Sequence, residues 1–127
     1  MRPRGADAYR RTEVQSSSPL ELVVMLYDGA LRFVGDAKQA HGRNDILGRG
    51  RAISRVLAII AELQSTLNVA QGGAIAEELD RLYTYVNSRL LDVSAKHDPA
   101  ALDEVHGLLS TIRDGWAGIA AGTPAQP

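Results

Sequence analysis

The chain has 127 residues, no cysteine and a formal net charge of −1. This length fits one domain with its own core, and the lack of cysteine excludes disulfides, thiolate metal sites and cysteine nucleophiles. Because there is neither an apolar leader nor a run near the ~18 residues of a membrane span, we expect an unexported cytoplasmic protein. Residues 1–55 hold ten basic and six acidic groups. Because their arginines have no interleaved aromatic platform except Tyr9, they predict solvated arginines rather than a nucleic-acid surface.

Residues 1–17 are polar and hold too few apolar side chains to fold alone. We expect a mobile N-terminal arm with a short helical turn. Two interpretations remain open: a frayed terminus, or an arm whose Tyr9 and Val14 lie on apolar surface of the main domain.

The first long helix has a well-specified start. Ser18 suits the N-cap, Pro19 the first helical position and Glu21 the returning carboxylate of a capping box. We expect the helix to run to about Ala40, with Gly42 supplying a left-handed stop. Its apolar residues fill almost ~180° of the helical wheel, where a surface helix needs only ~100°. The helix therefore lies deep in a bundle or offers a flank to a partner; the arc comprises Leu22, Val23, Leu26, Tyr27, Gly29, Ala30, Leu31, Phe33 and Val34.

Three further amphipathic helices follow. Asn44 is the expected cap of the second helix, Gln71-Gly72-Gly73 the turn before the third, and Asp98 with Pro99 the start of the fourth. The predicted buried faces are Ile46, Ile53, Val56, Leu57, Ile60, Leu63 and Leu67; Ile75, Leu79, Leu82, Tyr83, Val86, Leu90 and Val93; and Leu102, Val105, Leu108, Leu109, Ile112, Trp116 and Ile119.

These helices predict an all-α fold, an antiparallel up-down-up-down four-helix bundle with a short N-terminal helical arm. We expect the arm at residues 1–17, the bundle at 18–120 and a disordered tail at 121–127.

The sequence offers no catalytic, cofactor or metal site. No two of its three histidines stand three or four residues apart, as paired ligands on one helix face would. The inward Glu-x-x-His pattern of a di-iron bundle and the glycine-rich phosphate loops are also absent. We therefore do not expect an enzyme.

A few apolar residues lie outside the predicted core stripes. Each alone fits incidental exposure, but as a set they favour a groove that takes an amphipathic helix or an extended peptide. The candidate partner-binding residues are Met25, Ile59, Tyr85 and Leu91.

Several segments resemble the flagellar export chaperone family, FliS, over about Ala8 to Ile119. The most distinctive runs from Pro19 through Met25-Leu26-Tyr27-Asp28-Gly29, and others are Ile59-Ile60-Ala61-Glu62-Leu63, Leu82-Tyr83-Thr84-Tyr85 and Gly107-Leu108-Leu109 with Trp116. The resemblance implies a cytoplasmic four-helix chaperone that keeps the C-terminal segment of flagellin from polymerising and delivers it to the flagellar type III export apparatus. Departures stand at Ala74, Thr84, Val93 and Ser94.

Two other classes remain as alternatives. A self-associating adaptor would bury the wide face of the first two helices in a homodimer. A nucleic-acid-binding bundle would use the arginines of residues 1–55, and its affinity would fall steeply with salt.

Overall fold

The computed structural model describes residues 18–67 and 69–122. The predicted arm residues Tyr9 and Val14 lie outside these ranges. Within them the protein is all-α and has no strand, which confirms the predicted fold class. The four helices are α1 (Pro19–Gly42), α2 (Ile46–Ser65), α3 (Val69–Ala95) and α4 (Ala100–Ala120).

Each helix packs against the next one, and α4 returns to pack against α1. Two ion pairs give the direction of α4 relative to α1. Lys38 near the end of α1 pairs with Asp103 near the start of α4 at 2.7 Å, and Asp28 pairs with Arg113 at the same distance. The two helices are therefore antiparallel, and the short connections between the others give the up-down-up-down order. Consequently α1 and α3 begin at the end of the bundle where α2 and α4 finish.

The core follows the middle of each predicted stripe. The core also contains a buried pair of hydroxyl groups: those of Tyr27 and Tyr83 lie 2.5 Å apart and hydrogen-bond each other. Burial raises the pKa of both phenols, so both stay neutral. The other large, fully enclosed side chains are Val34, Val56, Ile60, Leu63, Val86, Leu90, Val93, Leu102, Val105 and Leu109.

The predicted capping box at the start of α1 is confirmed. The Glu21 amide donates to Ser18 Oγ at 3.1 Å, and the Ser18 amide donates to Glu21 Oε1 at 2.8 Å. These bonds satisfy two amide donors that have no partner inside the helix.

Helix α1 ends at Gly42, close to the predicted position, but the predicted left-handed conformation of Gly42 and the cap at Asn44 are wrong. The left-handed residue is Asn44, with φ of 58°. Asparagine tolerates this conformation better than other residues with a side chain. The cap of α2 is Asp45, whose carboxylate accepts from the Gly48 amide at 2.9 Å.

The interpretation of Arg49 as solvated is also wrong. Arg49 is only 7% exposed, and its Nη1 lies 3.1 Å from Nδ1 of His41 on α1. Since an arginine nitrogen can only donate, His41 accepts at Nδ1 and carries its proton on Nε2. This hydrogen bond joins the end of α1 to the start of α2. No local pattern in the sequence indicates it.

The connection between α3 and α4 is held by Arg89 rather than by the predicted cap at Asp98. Arg89 binds Asp92 and Asp98, each at 3.0 Å, and Glu104 at 2.6 Å. Helix α4 therefore begins at Ala100 without a side-chain cap.

Lowering the pH should destabilise the bundle, because folding lowers the pKa values of some of its carboxyl groups. Hydrogen bonds from Tyr85 and Arg89 lower the pKa of Glu104 below its ordinary 4.5, and Lys38 lowers that of Asp103 below 3.8. Over this acidic range the unfolded chain therefore binds more protons than the folded chain. The free energy of unfolding consequently falls as the pH drops below about 4.5. Urea unfolding across this range should show a smaller loss in Glu104→Gln. An identical loss in that variant would mean that Glu104 does not contribute.

Candidate partner-binding groove

An apolar recess opens at the end of the bundle where α2 and α4 finish and α3 begins. Its larger part, about 400 Å³, is lined by Thr66, Leu67, Gly72, Ile75, Ala76, Leu79 and Trp116. A second part of about 240 Å³ is lined by Ile112, Gly115, Trp116 and Ile119. Because both parts share Trp116, we treat these ten residues as one surface, the Trp116 groove.

A break in α3 shapes one wall of the Trp116 groove. Gly73 has φ of 59° and ψ of −135°, which is not helical and strongly favours glycine. The preceding Gly72 approaches the next turn closely, since a Cβ there would lie 2.7 Å from Cβ of Ala76. The predicted turn at this position is therefore present as an interruption within α3.

The rim of the groove carries isoleucines that the sequence pattern assigned to the core. Ile75 is 69% exposed and Ile119 is 54% exposed, so their predicted burial is wrong. Both lie near helix ends, where the neighbouring helices no longer cover the stripe. Ile46 at the start of α2 is wrong for the same reason, and it lies at the opposite end of the bundle with exposed Leu47.

Trp116 lies between the groove and the core. The indole was predicted to be buried; it packs against the core cluster as expected but is only half-buried and lines both recesses. Its Nε1 is buried and has no hydrogen-bond partner among the described residues. Burial raises the pKa of the Tyr27 phenol, and contacts with Tyr83 and then Trp116 oppose that shift, so the indole lies beside the tyrosine pair.

Two of the predicted partner-binding residues border the seam between α1 and α2. Met25 and Ile59 are both half-buried, and Ile59 Cδ1 lies 3.4 Å from the position of a Cβ on Gly29. The missing side chain of Gly29 leaves room for Ile59. Met25 is one turn before Gly29 on the same side of α1.

The other two predicted residues are exposed on α3. Tyr85 is 43% exposed and donates its hydroxyl to Glu104, whereas Leu91 is 57% exposed. Their six-residue spacing separates them by about 120° around the helix. The structure therefore does not bring the four predicted residues into one patch, and none of them lines the Trp116 groove.

Other kinds of site find no support in residues 18–67 and 69–122. No group of three or more histidine and acidic side chains there could hold a metal ion. No helix in the same ranges is long and apolar enough to cross a membrane.

The sequence matches the protein family described as "Flagellar protein FliS" over residues 2–123, which include the whole Trp116 groove. The chain belongs to the FliS family. A FliS relative from Salmonella typhimurium, named flagellar secretion chaperone FliS, is 37% identical over 120 residues, covering 91% of this chain and 89% of the relative. The Pseudomonas aeruginosa protein named flagellar secretion chaperone FliSB is 36% identical over 107 residues, covering 84% and 85%. A Bacillus subtilis FliS is 33% identical over 109 residues, covering 86% and 80%.

Proposed function

We propose that this chain is a cytoplasmic flagellar secretion chaperone that binds the C-terminal segment of flagellin. Binding keeps flagellin from polymerising prematurely, and the complex is delivered to the flagellar type III export apparatus. The proposal rests on membership of the FliS family, whose relatives carry the name flagellar secretion chaperone.

The observation that carries the binding mode is the Trp116 groove. It is open and largely apolar, and its exposed isoleucines have no counterpart in the described residues to cover them. An apolar face of a partner helix, or alternate side chains of an extended segment, would fill such a recess. The groove is therefore the proposed site of the deepest flagellin contacts.

We propose that the four residues predicted from the sequence supply further contacts outside the Trp116 groove. Exposed Leu91 and Tyr85 offer apolar area on α3, and Met25 and Ile59 offer it at the α1–α2 seam. A partner long enough to reach them from the groove must wrap around the bundle. We propose that a segment without stable structure of its own binds in several pieces and folds as it does so.

Calorimetry with a C-terminal flagellin peptide from the same organism tests this function. We expect favourable enthalpy opposed by ordering entropy, a strongly negative heat-capacity change from apolar burial, and weak dependence on salt. Absence of heat at any temperature would contradict the chaperone proposal. A steep loss of affinity with salt would favour charged binding instead.

The N-terminal arm is proposed to shield the groove before flagellin arrives. Ser18 precedes Pro19 at the groove end of the bundle, so the chain before it joins the bundle there. Tyr9 and Val14 are the proposed covering side chains. Deleting residues 1–15 should raise the fluorescence of a dye that binds exposed apolar surface. Unchanged fluorescence would mean that the arm does not cover the groove.

A homodimer remains the alternative occupant of the apolar surface. Light scattering during size-exclusion chromatography at several concentrations distinguishes a homodimer from a monomer that binds flagellin. We expect a monomer without flagellin and a one-to-one complex with it. A dimer that flagellin does not dissociate would favour the self-associating adaptor.

A further inference from the structure

A second unusual surface lies on α1 and α2, where one arginine from each helix lies over the ring of Phe33. The guanidinium carbon of Arg32 is 5.8 Å from the centre of the Phe33 ring, and that of Arg55 is 5.4 Å away. Both distances fall within the ~6 Å range of a cation–π contact. Two cations are thus held beside one half-buried ring.

These arginines lack acidic partners. Neither Arg32 nor Arg55 forms an ion pair with any described residue, and neither does exposed Arg51, which precedes Arg55 by one helical turn. The nearest carboxylates along α1 are Asp28 and Asp36, each four residues from Arg32. Asp28 pairs with Arg113, and neither pairs with Arg32 in the structure. Three positive charges therefore lie together with their hydrogen-bond donors unused by the described chain.

The remaining exposed or half-buried lysines and arginines of the described bundle behave differently. Lys38, Arg43, Arg89, Lys96 and Arg113 each have at least one carboxylate within ion-pair distance. Only one further exposed arginine, on α3, also lacks such a pair among the described residues, and it stands apart from Phe33. The grouping around Phe33 is thus a local property of α1 and α2.

The chemistry of this surface matches carboxylates. A guanidinium presents a rigid fork of donors that binds a carboxylate through two parallel hydrogen bonds. Contact with the Phe33 ring restricts the Arg32 and Arg55 side chains before any ligand arrives, so less conformational entropy remains to be lost on binding. Neighbouring positive charges also gain from a ligand that brings several negative charges together.

We propose that Arg32, Phe33, Arg51 and Arg55 form a docking surface, the Arg–Phe patch, for an acidic segment of a second protein. Nucleic acid fits it less well, since there is one half-buried aromatic ring rather than a series of stacking platforms, and the whole chain has a net charge of −1. The patch shares no residue with the Trp116 groove. The proposal therefore concerns a surface other than the groove and does not depend on flagellin binding.

Fluorescence anisotropy with the full chain and a labelled peptide of alternating glutamate and alanine tests the patch. We expect saturable binding that weakens with salt, and no binding of the matching glutamine peptide. Arg55→Glu should lower the affinity by about tenfold or more, as loss of a charged contact with reversal of its sign does. Arg55→Lys should retain only part of the affinity, because lysine keeps the charge but lacks the planar fork.

Arg81→Glu is the matched control. Arg81 is an exposed arginine on α3 without an ion pair among the described residues, so its reversal changes the net charge equally. We expect this variant to bind the acidic peptide nearly as well as the wild type. Equal weakening by Arg81→Glu and Arg55→Glu, or no binding of the acidic peptide by wild type, would overturn the proposal. Tighter binding of a single-stranded oligonucleotide than of the peptide would also overturn it. Thermal melting checks that each variant is folded.

Discussion

Ile75→Asp should weaken binding of the C-terminal flagellin peptide by about thirtyfold or more, a loss of ~2 kcal/mol or more that is typical of an interface hot spot. The new carboxylate would be placed against apolar partner atoms without a cation to pair with it, so its desolvation is uncompensated. Because Ile75 is 69% exposed in the free protein, the substitution should leave the melting temperature nearly unchanged. Calorimetric titration and thermal unfolding measure the two effects separately.

Leu47→Asp is the matched control for this experiment. Leu47 is 73% exposed, as apolar as Ile75, and lies at the other end of the bundle. We expect wild-type affinity from this variant. Equal weakening by both substitutions would indicate a general effect of added negative charge, and full affinity in Ile75→Asp would exclude the Trp116 groove as the site.

Trp116→Ala should lower the free energy of unfolding by ~3 kcal/mol, near the lower end of the range for large-to-small core changes because one face of the indole is open. The loss comes from packing against the core cluster and from the cavity left beside Tyr27. It is a large fraction of the ~5–15 kcal/mol that stabilises a typical domain. Urea unfolding followed by circular dichroism gives this value.

Ile119→Ala serves as the comparison, since Ile119 lines the same groove but is 54% exposed. We expect it to cost less than about 1 kcal/mol, as surface substitutions usually do. An unchanged midpoint for Trp116→Ala would show that the indole does not support the core.

The fold was predictable because its determinants are local or periodic. The capping box at Ser18 and Glu21 requires only three residues of spacing, and the stripes around Val56 and Val86 repeat at helical intervals. The left-handed residue at the α1–α2 corner was missed because several residues there could adopt that conformation. Which one adopts the left-handed conformation depends on how α2 packs, and Asn44 adopts it here.

The site was harder to predict because periodicity indicates which face of a helix is apolar, not where the neighbouring helices stop. Ile75 and Ile119 lie on the core stripes by position but project past their neighbours, so they line the groove. Of the off-stripe candidates taken from the helical wheel, Tyr85 and Leu91 are exposed, whereas Met25 and Ile59 are half-buried. The Arg49–His41 pair and the arginines around Phe33 join different helices, and only the tertiary structure brings them together.

The emission of Trp116 tests the central claim most directly, because it is the single tryptophan of the chain and lines both parts of the groove. Titration with a tryptophan-free C-terminal flagellin peptide should shift the emission to shorter wavelength and saturate at the calorimetric stoichiometry, since the bound segment excludes water from the indole. Calorimetric binding without any change in Trp116 emission would contradict the account and place flagellin elsewhere on the bundle.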